Sequence, residues 1–284
     1  MRVARTRTEM AEARAALGEP VGFVPTMGAL HDGHASLVRR AREECASVVV
    51  SVFVNPTQFG PGEDFNRYPR DEAADLALLE SLGTDVVFLP TVDEIYPPGR
   101  TTSVDVGRLG EVLEGAARPG HFRGVATVVT ILYSLVQPDR AYFGQKDGQQ
   151  SVVIRRMVHD LGLPVDIVVC PTVREDDGLA VSSRNRYLTP EERAQAPALN
   201  RALQAAATAY AEGERSADPM RRMMLAELEA APLGQVDYVS VADAETLDEL
   251  EVVDRPALLS LAVRFPSARL IDCLPLDPGQ PREP

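Results

Sequence analysis

The feature that most constrains this chain is residues 21–42, where an apolar run, a glycine-containing turn and an amphipathic segment follow one another. The run V-G-F-V suits a buried strand, and the apolar residues at the end of the stretch recur at helical spacing. Such a junction can hold phosphate, because free N–H groups and about half a positive charge collect at a helix N-terminus. His31 and His34 stand three residues apart, so both project from one face of the first turn. Gly33 between them leaves the backbone open to a ligand.

The H-D-G-H segment leaves three interpretations open. Two histidines at this spacing occur by chance, bind a metal ion, or contact a nucleotide. No cysteine or third histidine lies nearby, which disfavours a metal site. The strand, turn and helix around the pair favour nucleotide binding.

The segments that follow predict an α/β fold. Residues 47–54 are a β-rich run, residues 71–82 an amphipathic helix and residues 85–89 another strand. Strands that alternate with helices indicate a Rossmann-like, doubly wound parallel sheet. Ligands of such sheets sit at the carboxyl ends of the strands, where Asn55 and Gln58 fall. Residues 120–137 fit either a helix or a strand, and their length favours a buried helix.

A single lysine stands out in an arginine-rich chain. The sequence has 29 basic residues, of which Lys146 is the one lysine and the other 28 (29 − 1) are arginine. Lysine offers a compact ammonium on a flexible stem, whereas arginine offers a planar fork. Lys146 follows a predicted strand at residues 141–143 and lies in a glycine-flanked loop, a position that faces ligands in parallel sheets. A stray surface lysine is the alternative, and this position favours a phosphate contact.

A second polar loop carries V-S-S-R-N at residues 181–185. Its two hydroxyls and guanidinium suit phosphate oxygens, although a plain surface loop explains them equally well in isolation. We expect this loop to meet residues 26–34 and 144–150 at one cleft. Neither G-x-G-x-x-G nor a Walker A sequence is present, so a Rossmann dehydrogenase and a P-loop kinase have no support.

The composition and the predicted secondary structure of the chain change after residue 173. A polar loop leads to a capping box, Thr189 to Glu192, and to one long alanine-rich helix that is predicted to end near residue 212. A further helix at 218–230 and strands at 236–242 and 258–263 suggest a smaller α+β domain. We therefore predict a catalytic domain at 1–173 and a C-terminal domain at 174–284 that acts as a lid. The last ten residues are expected to be frayed.

Composition excludes several classes of protein. A net charge of −13 disfavours nucleic acid as a partner, yet it permits a local basic pocket for a small anion. No stretch approaches 18 consecutive apolar residues, and the N-terminus lacks the apolar run of a signal peptide. Three scattered cysteines argue against a disulfide framework. These features predict a cytoplasmic protein with no membrane contact.

Five motifs in residues 20–190 are similar, in order, to those of the pantothenate synthetase (pantoate–β-alanine ligase) family. They are P-T-M-G-A-L-H-D-G-H, F-V-N-P-T-Q-F-G, G-H-F-R-G-V-A-T-V-V, F-G-Q-K-D-G-Q-Q and S-S-R-N-R-Y-L. H-D-G-H resembles the H-I-G-H signature of the wider nucleotidyltransferase superfamily. The resemblance implies an ATP- and Mg²⁺-dependent ligase that condenses (R)-pantoate with β-alanine through a pantoyl-adenylate, releasing AMP and pyrophosphate. It also implies a homodimer.

The resemblance assigns roles residue by residue. His34 corresponds to the proton donor that aids pyrophosphate departure, and His31 and Lys146 to groups that stabilise the transition state. Gln58 and Gln150 correspond to the pantoate-binding glutamines, and Gln58 also helps to place β-alanine. The segments that correspond to ATP contacts are Met27, Gly28, Ala29, Leu30, His31, Asp32, Gly33, His34, Gly144, Gln145, Lys146, Asp147, Val173, Val181, Ser182, Ser183 and Arg184. Among these ATP-contacting residues, Asp147 accepts hydrogen bonds when ionised and could hold the ribose hydroxyls.

Three positions depart from the family pattern. Val181 stands where methionine is usual, Gln145 where glutamate is frequent, and Gly148 where a bulkier residue is common. Gln145 weakens the case for a Mg²⁺-binding carboxylate there, and the Mg²⁺ ligands are not identified. Two alternatives stay open: another small-molecule adenylyltransferase of the superfamily, which would leave AMP in its product, and a nucleotide sensor without catalytic activity.

Overall fold

A computed structural model describes residues 1–277, and the chain forms two compact units. The first comprises residues 1–144 and 153–170, and the second comprises residues 145–152 and the chain from residue 171 onward. The sequence placed one boundary after residue 173. In the structure the chain changes unit after Cys170, and the short segment after Gly144 also belongs to the second unit.

The first unit is built on a six-stranded parallel sheet. Its strand order is β1-β4-β3-β2-β5-β6, and the neighbouring strands pair in parallel. The strands are β1 (Arg2–Ala4), β2 (Val21–Thr26), β3 (Ser47–Val52), β4 (Val86–Phe88), β5 (Arg140–Gly144) and β6 (Asp166–Cys170). The helices are α1 (Arg7–Arg14), α2 (Asp32–Glu44), α3 (Glu72–Ser81), α4 (Val92–Ile95), α5 (Glu114–Ala117), α6 (His121–Val136) and α7 (Gly148–Leu161), whose first residues belong to the second unit.

The pattern of burial explains why this sheet forms. Residues 48–50 of β3 are fully buried, as expected for a central parallel strand covered on both faces. One apolar cluster contains α6 and α1, and another contains α2 and α3. The predicted Rossmann-like class is therefore confirmed, and the helix favoured for residues 120–137 is α6 (His121–Val136). Because β2 lies between β3 and β5, the loops after these strands leave the same edge near the point where the strand order reverses.

Four elements of the first unit, β1, α1, α4 and α5, were not predicted from the sequence. Strand β1 is only three residues long, too short to show a period. Helix α1 carries few apolar residues, but Thr6 and Glu9 form a capping box at its start. That T-R-T-E pattern is a recognised helix signal and could have been used.

The second unit pairs a three-stranded antiparallel sheet with helices, as the predicted α+β class requires. Its strands are β7 (Gln235–Asp243), β8 (Ala257–Arg264) and β9 (Arg269–Leu276), paired in that order. Its helices are α8 (Pro190–Gln195), α9 (Ala198–Ala211) and α10 (Ala217–Leu228), and the predicted capping box at Thr189 is present.

One prediction for this unit is wrong, and one strand was not predicted. The single long helix is interrupted between α8 and α9, because Pro197 cannot donate a backbone hydrogen bond and its ring clashes with the preceding turn. Strand β9 was not predicted, since the buried Asp272 and the exposed Pro275 interrupt its apolar pattern. Its last two residues belong to the stretch expected to be frayed, and residues 278–284 of that stretch lie outside the described residues. Within residues 1–277, no helix is long and apolar enough to span a membrane.

Candidate active site

The loop after β2 is held by a buried carboxylate. Asp75 of α3, 5% exposed, accepts hydrogen bonds from the backbone N–H groups of Ala29 (3.0 Å) and Leu30 (2.7 Å). Gly28 and Ala29 have φ values of +82° and +50°, so the chain turns through the left-handed region here. A Cβ on Gly28 would also lie 2.9 Å from Val52. The carboxylate of Asp75 thus fixes the shape of this loop.

The N-terminus of α2 carries both predicted catalytic histidines. His31 is the N-cap residue and its side chain makes no capping hydrogen bond. The rings of His31 and His34 lie with centroids 4.1 Å apart and an interplanar angle of 35°, which confirms that they share one face. A Cβ on Gly33 would lie 2.9 Å from the His31 ring, so glycine is needed here to let the ring fold over the helix end.

Gln58 is oriented by Asn55 at the end of β3. The Asn55 side chain donates to Gln58 Oε1 (2.9 Å) and to the Gly124 carbonyl (3.2 Å), and its oxygen accepts from Tyr96 (2.7 Å). Gln58 Nε2 lies 3.2 Å from the sulfur of Met27, on the loop after β2. The structure therefore brings together two segments that were predicted separately. Asn55, at 1% exposure, is a polar residue that sequence reasoning placed at the strand end but gave no role.

Two further side chains hold the backbone of Gln58. The Arg118 guanidinium binds both oxygens of Glu63 at 2.7 Å and contacts the Gln58 carbonyl (3.3 Å), while His121 Nδ1 donates to the same carbonyl (2.8 Å). Burial favours the neutral imidazole and, with the neighbouring Arg118 charge, lowers the pKa of His121 to about 4. Burial would raise the pKa of Glu63, but hydrogen bonds and charge from Arg118 prevail and lower it to about 2.

A glycine allows this arrangement to form. A Cβ on Gly124 of α6 would lie 2.5 Å from the Thr57 carbonyl oxygen, so the helix can approach the Gln58 turn only without a side chain there. The motif G-H-F-R-G thus contains both His121 and the residue that permits close approach. Its pattern was noticed in the sequence, but its contact with the Gln58 turn was not predicted.

In the second unit, Lys146 lies in a tight turn, residues 145–147, that directly follows β5. Its side chain is 21% exposed and its Nζ lies 3.5 Å from Asp147, whose side chain is 45% exposed. Gln150 follows in the first turn of α7 and is half-buried. The predicted position of Lys146, immediately after a strand, is confirmed.

The other predicted ATP-contacting residues of this unit lie on a hairpin. Val181 N–H donates to the Val173 carbonyl at 3.0 Å, so two residues assigned separately are adjacent. The Ser182 side chain then accepts from the Arg184 N–H at 3.3 Å and begins a short 3₁₀ turn. Ser183 is buried in that turn.

In the first unit the structure pairs His31 with His34 and Met27 with Gln58, and in the second unit it pairs Val173 with Val181. The expected single cleft stays a prediction. Among residues 1–277, no cluster of three or more His, Cys, Asp or Glu side chains could hold a metal ion.

Comparison with known proteins gives consistent matches over nearly the whole chain. The model of the pantoate-beta-alanine ligase family matches residues 1–275. A pantothenate synthetase from Chloroflexus aggregans is 62% identical over 273 residues, covering 96% of this chain and 98% of the relative. One from Roseiflexus sp. is 61% identical, with coverage of 96% and 98%.

Solved structures give the same result. The crystal structure of pantothenate synthetase from Thermus thermophilus matches with a TM-score of 0.92 at 55% identity, covering 96% of this chain and 99% of that one. Pantoate-beta-alanine ligase from Francisella tularensis, crystallised with β-γ ATP and β-alanine, matches with a TM-score of 0.80 at 33% identity, with coverage of 96% and 97%.

Proposed function

The chain belongs to the pantoate-beta-alanine ligase family, and on that premise we propose that it uses ATP to join (R)-pantoate to β-alanine and form pantothenate. The observation that carries the site assignment is the pair of imidazole rings whose centroids lie 4.1 Å apart at the N-terminus of α2. A helix N-terminus that follows a parallel strand attracts phosphate, and here it also presents two groups able to donate hydrogen bonds.

The first step activates the carboxylate of pantoate. A carboxylate oxygen attacks the α-phosphorus of ATP, the bond to the pyrophosphate oxygen breaks, and pantoyl-adenylate and pyrophosphate form. Negative charge grows on the phosphate oxygens during this step, so donors placed in advance lower the barrier. His34 donates a proton or hydrogen bond to the departing pyrophosphate, and His31 and Lys146 stabilise the five-coordinate phosphorus.

The second step forms the amide. The neutral amine of β-alanine attacks the activated carbonyl carbon, the bond to the AMP oxygen breaks, and the nitrogen loses a proton. AMP leaves readily, whereas oxide would not leave an unactivated carboxylate. Gln58 binds the pantoate hydroxyls and helps to place β-alanine, and Gln150 also binds pantoate. Positioning then supplies most of the remaining acceleration.

The nucleotide contacts of the proposal are those expected from the resemblance. The loop and helix start from Met27 to His34, Gly144 to Asp147, Val173 and Val181 to Arg184 contact ATP. Mg²⁺ enters with the nucleotide, since this ion usually keeps several waters and binds through substrate phosphates. The protein acts as a cytoplasmic homodimer, as the family resemblance implies.

A mass-spectrometric assay with ATP, pantoate and β-alanine, each omitted in turn, tests the reaction. Pantothenate should appear only with all three substrates, together with free AMP. AMP incorporated into the final product would instead favour another adenylyltransferase of the superfamily.

Single substitutions test the catalytic roles. Removing one buried donor to developing charge costs roughly 2.7–4 kcal/mol, so Lys146→Ala and His34→Ala should each lower adenylate formation by about 100-fold or more. Lys146→Arg should restore little, because a planar fork replaces the compact ammonium. His159→Ala, at a histidine whose side chain is 81% exposed, is the matched control and should be silent. Near-wild-type pyrophosphate release by Lys146→Ala and His34→Ala would contradict both roles.

A further inference from the structure

We propose that two adjacent residues of β9, Asp272 and Cys273, position the two segments of the second unit that contact ATP. The inference rests on the proposed function, which assigns phosphate contacts to the Lys146 turn and to the hairpin leading to Arg184. Successive side chains of a strand leave opposite faces, so neighbouring residues of one strand can reach two different segments. Neither residue touches substrate in this proposal; both act through others.

Cys273 holds the turn that carries Lys146. Its side chain is 3% exposed, and its Sγ lies 2.8 Å from the Gln145 carbonyl oxygen and 3.6 Å from the Lys146 carbonyl oxygen. The side-chain amide of Gln145 lies 3.8 Å from the same sulfur. Burial raises the pKa of the thiol to about 12, so it stays protonated and can donate. The backbone just before and at Lys146 is therefore tied to β9.

The same thiol explains why position 148 is glycine. A Cβ built on Gly148 would lie 2.7 Å from Cys273 Sγ, a distance that real Cβ atoms do not show. It would also lie 3.0 Å from a terminal methyl of Leu258, which can move aside. Cys273 thus occupies the space that a side chain at 148 would need. The two positions are expected to depend on each other.

Asp272 holds the hairpin. Its side chain is 2% exposed and accepts two hydrogen bonds from the Arg174 guanidinium, at 2.6 and 3.0 Å. Arg174 also donates to the Gly178 carbonyl at 3.1 Å, across the turn of the hairpin. Arg174 pairs with Ala180, next to the Val173–Val181 hydrogen bond. A buried bidentate ion pair of this kind fixes orientation as well as distance.

A double-substitution cycle tests the Cys273 arm of the proposal, which is that Cys273 positions the Lys146 turn. Gly148→Ala should lower the rate of adenylate formation by about 10-fold, and Cys273→Ala should raise the KM for ATP about 3- to 10-fold, the range that one lost hydrogen bond allows. The double variant should be less impaired than Gly148→Ala alone, because the smaller residue at 273 makes room for the new methyl group. Cys273→Ser retains a donor and should stay within about 2-fold of wild type.

Purely structural damage predicts a different pattern. It would lower the unfolding temperature, leave the KM for ATP unchanged, and make the double variant worse than either single one. Either additive damage in the double variant or an unchanged KM for ATP in Cys273→Ala overturns the Cys273 arm. Cys45→Ala, at another buried thiol in the first unit, is the control and should leave the KM for ATP unaltered.

Asp272→Asn tests the other arm and does not depend on the fold of the 148 variants. The amide keeps the shape but loses the charge, so the KM for ATP should rise about 10-fold while the KM for pantoate changes little. Equal changes in both constants, or none, would refute this arm. Wild-type protein and Lys146→Ala distinguish failure of the proposed function from failure of this inference. If the wild-type protein forms no pantoyl-adenylate, the proposed function fails. If Lys146→Ala abolishes adenylate formation while the β9 variants behave additively, only this inference fails.

Discussion

Replacing Asp75 by asparagine should destabilise the conformation of the histidine loop, residues 27–31 between β2 and α2. Asp75 is 5% exposed and receives the N–H groups of Ala29 and Leu30 at 3.0 and 2.7 Å. One of the two donors, Ala29, is a residue other than glycine at φ +50°, a conformation that the surroundings must maintain. Asparagine has the same size but only one accepting oxygen, so one of the two N–H groups would face an amide NH₂.

The size of the effect follows from those contacts. A hydrogen bond to a charged group contributes about 1.5–3 kcal/mol, and a buried N–H left unsatisfied costs about 1–3 kcal/mol. Since one bond is lost and the other weakened, we expect a loss of about 2–4 kcal/mol in the free energy of unfolding. If the loop reorders when ATP binds, the same free energy appears as a decrease of roughly 30- to 1,000-fold in adenylate formation.

Denaturant unfolding and single-turnover adenylate formation measure the two quantities. Asp71→Ala is the matched control on the same helix, because it removes the N-cap hydrogen bond to Ala74 and no loop contact. It should cost about 1 kcal/mol of stability and leave adenylate formation unchanged. An Asp75→Asn protein as stable and as active as wild type would show that the loop holds its shape without this carboxylate, and the reasoning would be refuted.

Three further predictions concern the Gln58 turn. Gln58→Ala should raise the KM for pantoate far more than the KM for ATP in steady-state assays, and an unchanged pantoate KM would contradict its role. Because the pKa of Glu63 is lowered to about 2, its pairing with Arg118 stabilises the fold fully above pH 4.5 and is lost as the pH falls toward 2. The stability difference between wild type and Glu63→Gln, at most about 3 kcal/mol, should therefore shrink across that window in unfolding experiments, and a constant difference would argue against the pairing. Because burial lowers the pKa of His121 to about 4, protonation of His121 opposes folding increasingly as the pH falls from 6.5 to 4. The His121→Gln variant should therefore gain stability relative to wild type over that range. Parallel pH profiles of stability for the two proteins would contradict this.

Much of the first unit could be predicted because its signals are local. Apolar runs such as residues 47–54 are long enough to indicate a buried strand, and the spacing of His31 and His34 sets their common face whatever surrounds the helix. The same holds for Lys146, whose position in the turn directly after β5 follows from the order of residues along the chain.

Residues that act over long sequence distances could not be found in this way. Asp75 lies 45 positions from Leu30, and Arg118 lies 60 positions from Gln58. Nothing near either residue in the sequence distinguishes it from other charged residues on helices or loops. Its role exists only because folding removes it from water and leaves a backbone group of another segment as its partner.

The sequence by itself determined the strand–turn–helix unit, the two imidazoles on one face and the lysine after a strand, because each depends on neighbours within a few residues. Only the tertiary structure decided which side chains hold those groups in place. Asp75 accepts hydrogen bonds from the histidine loop, and Cys273 sterically excludes a side chain at position 148. Both effects join distant segments and arise only when the chain has packed.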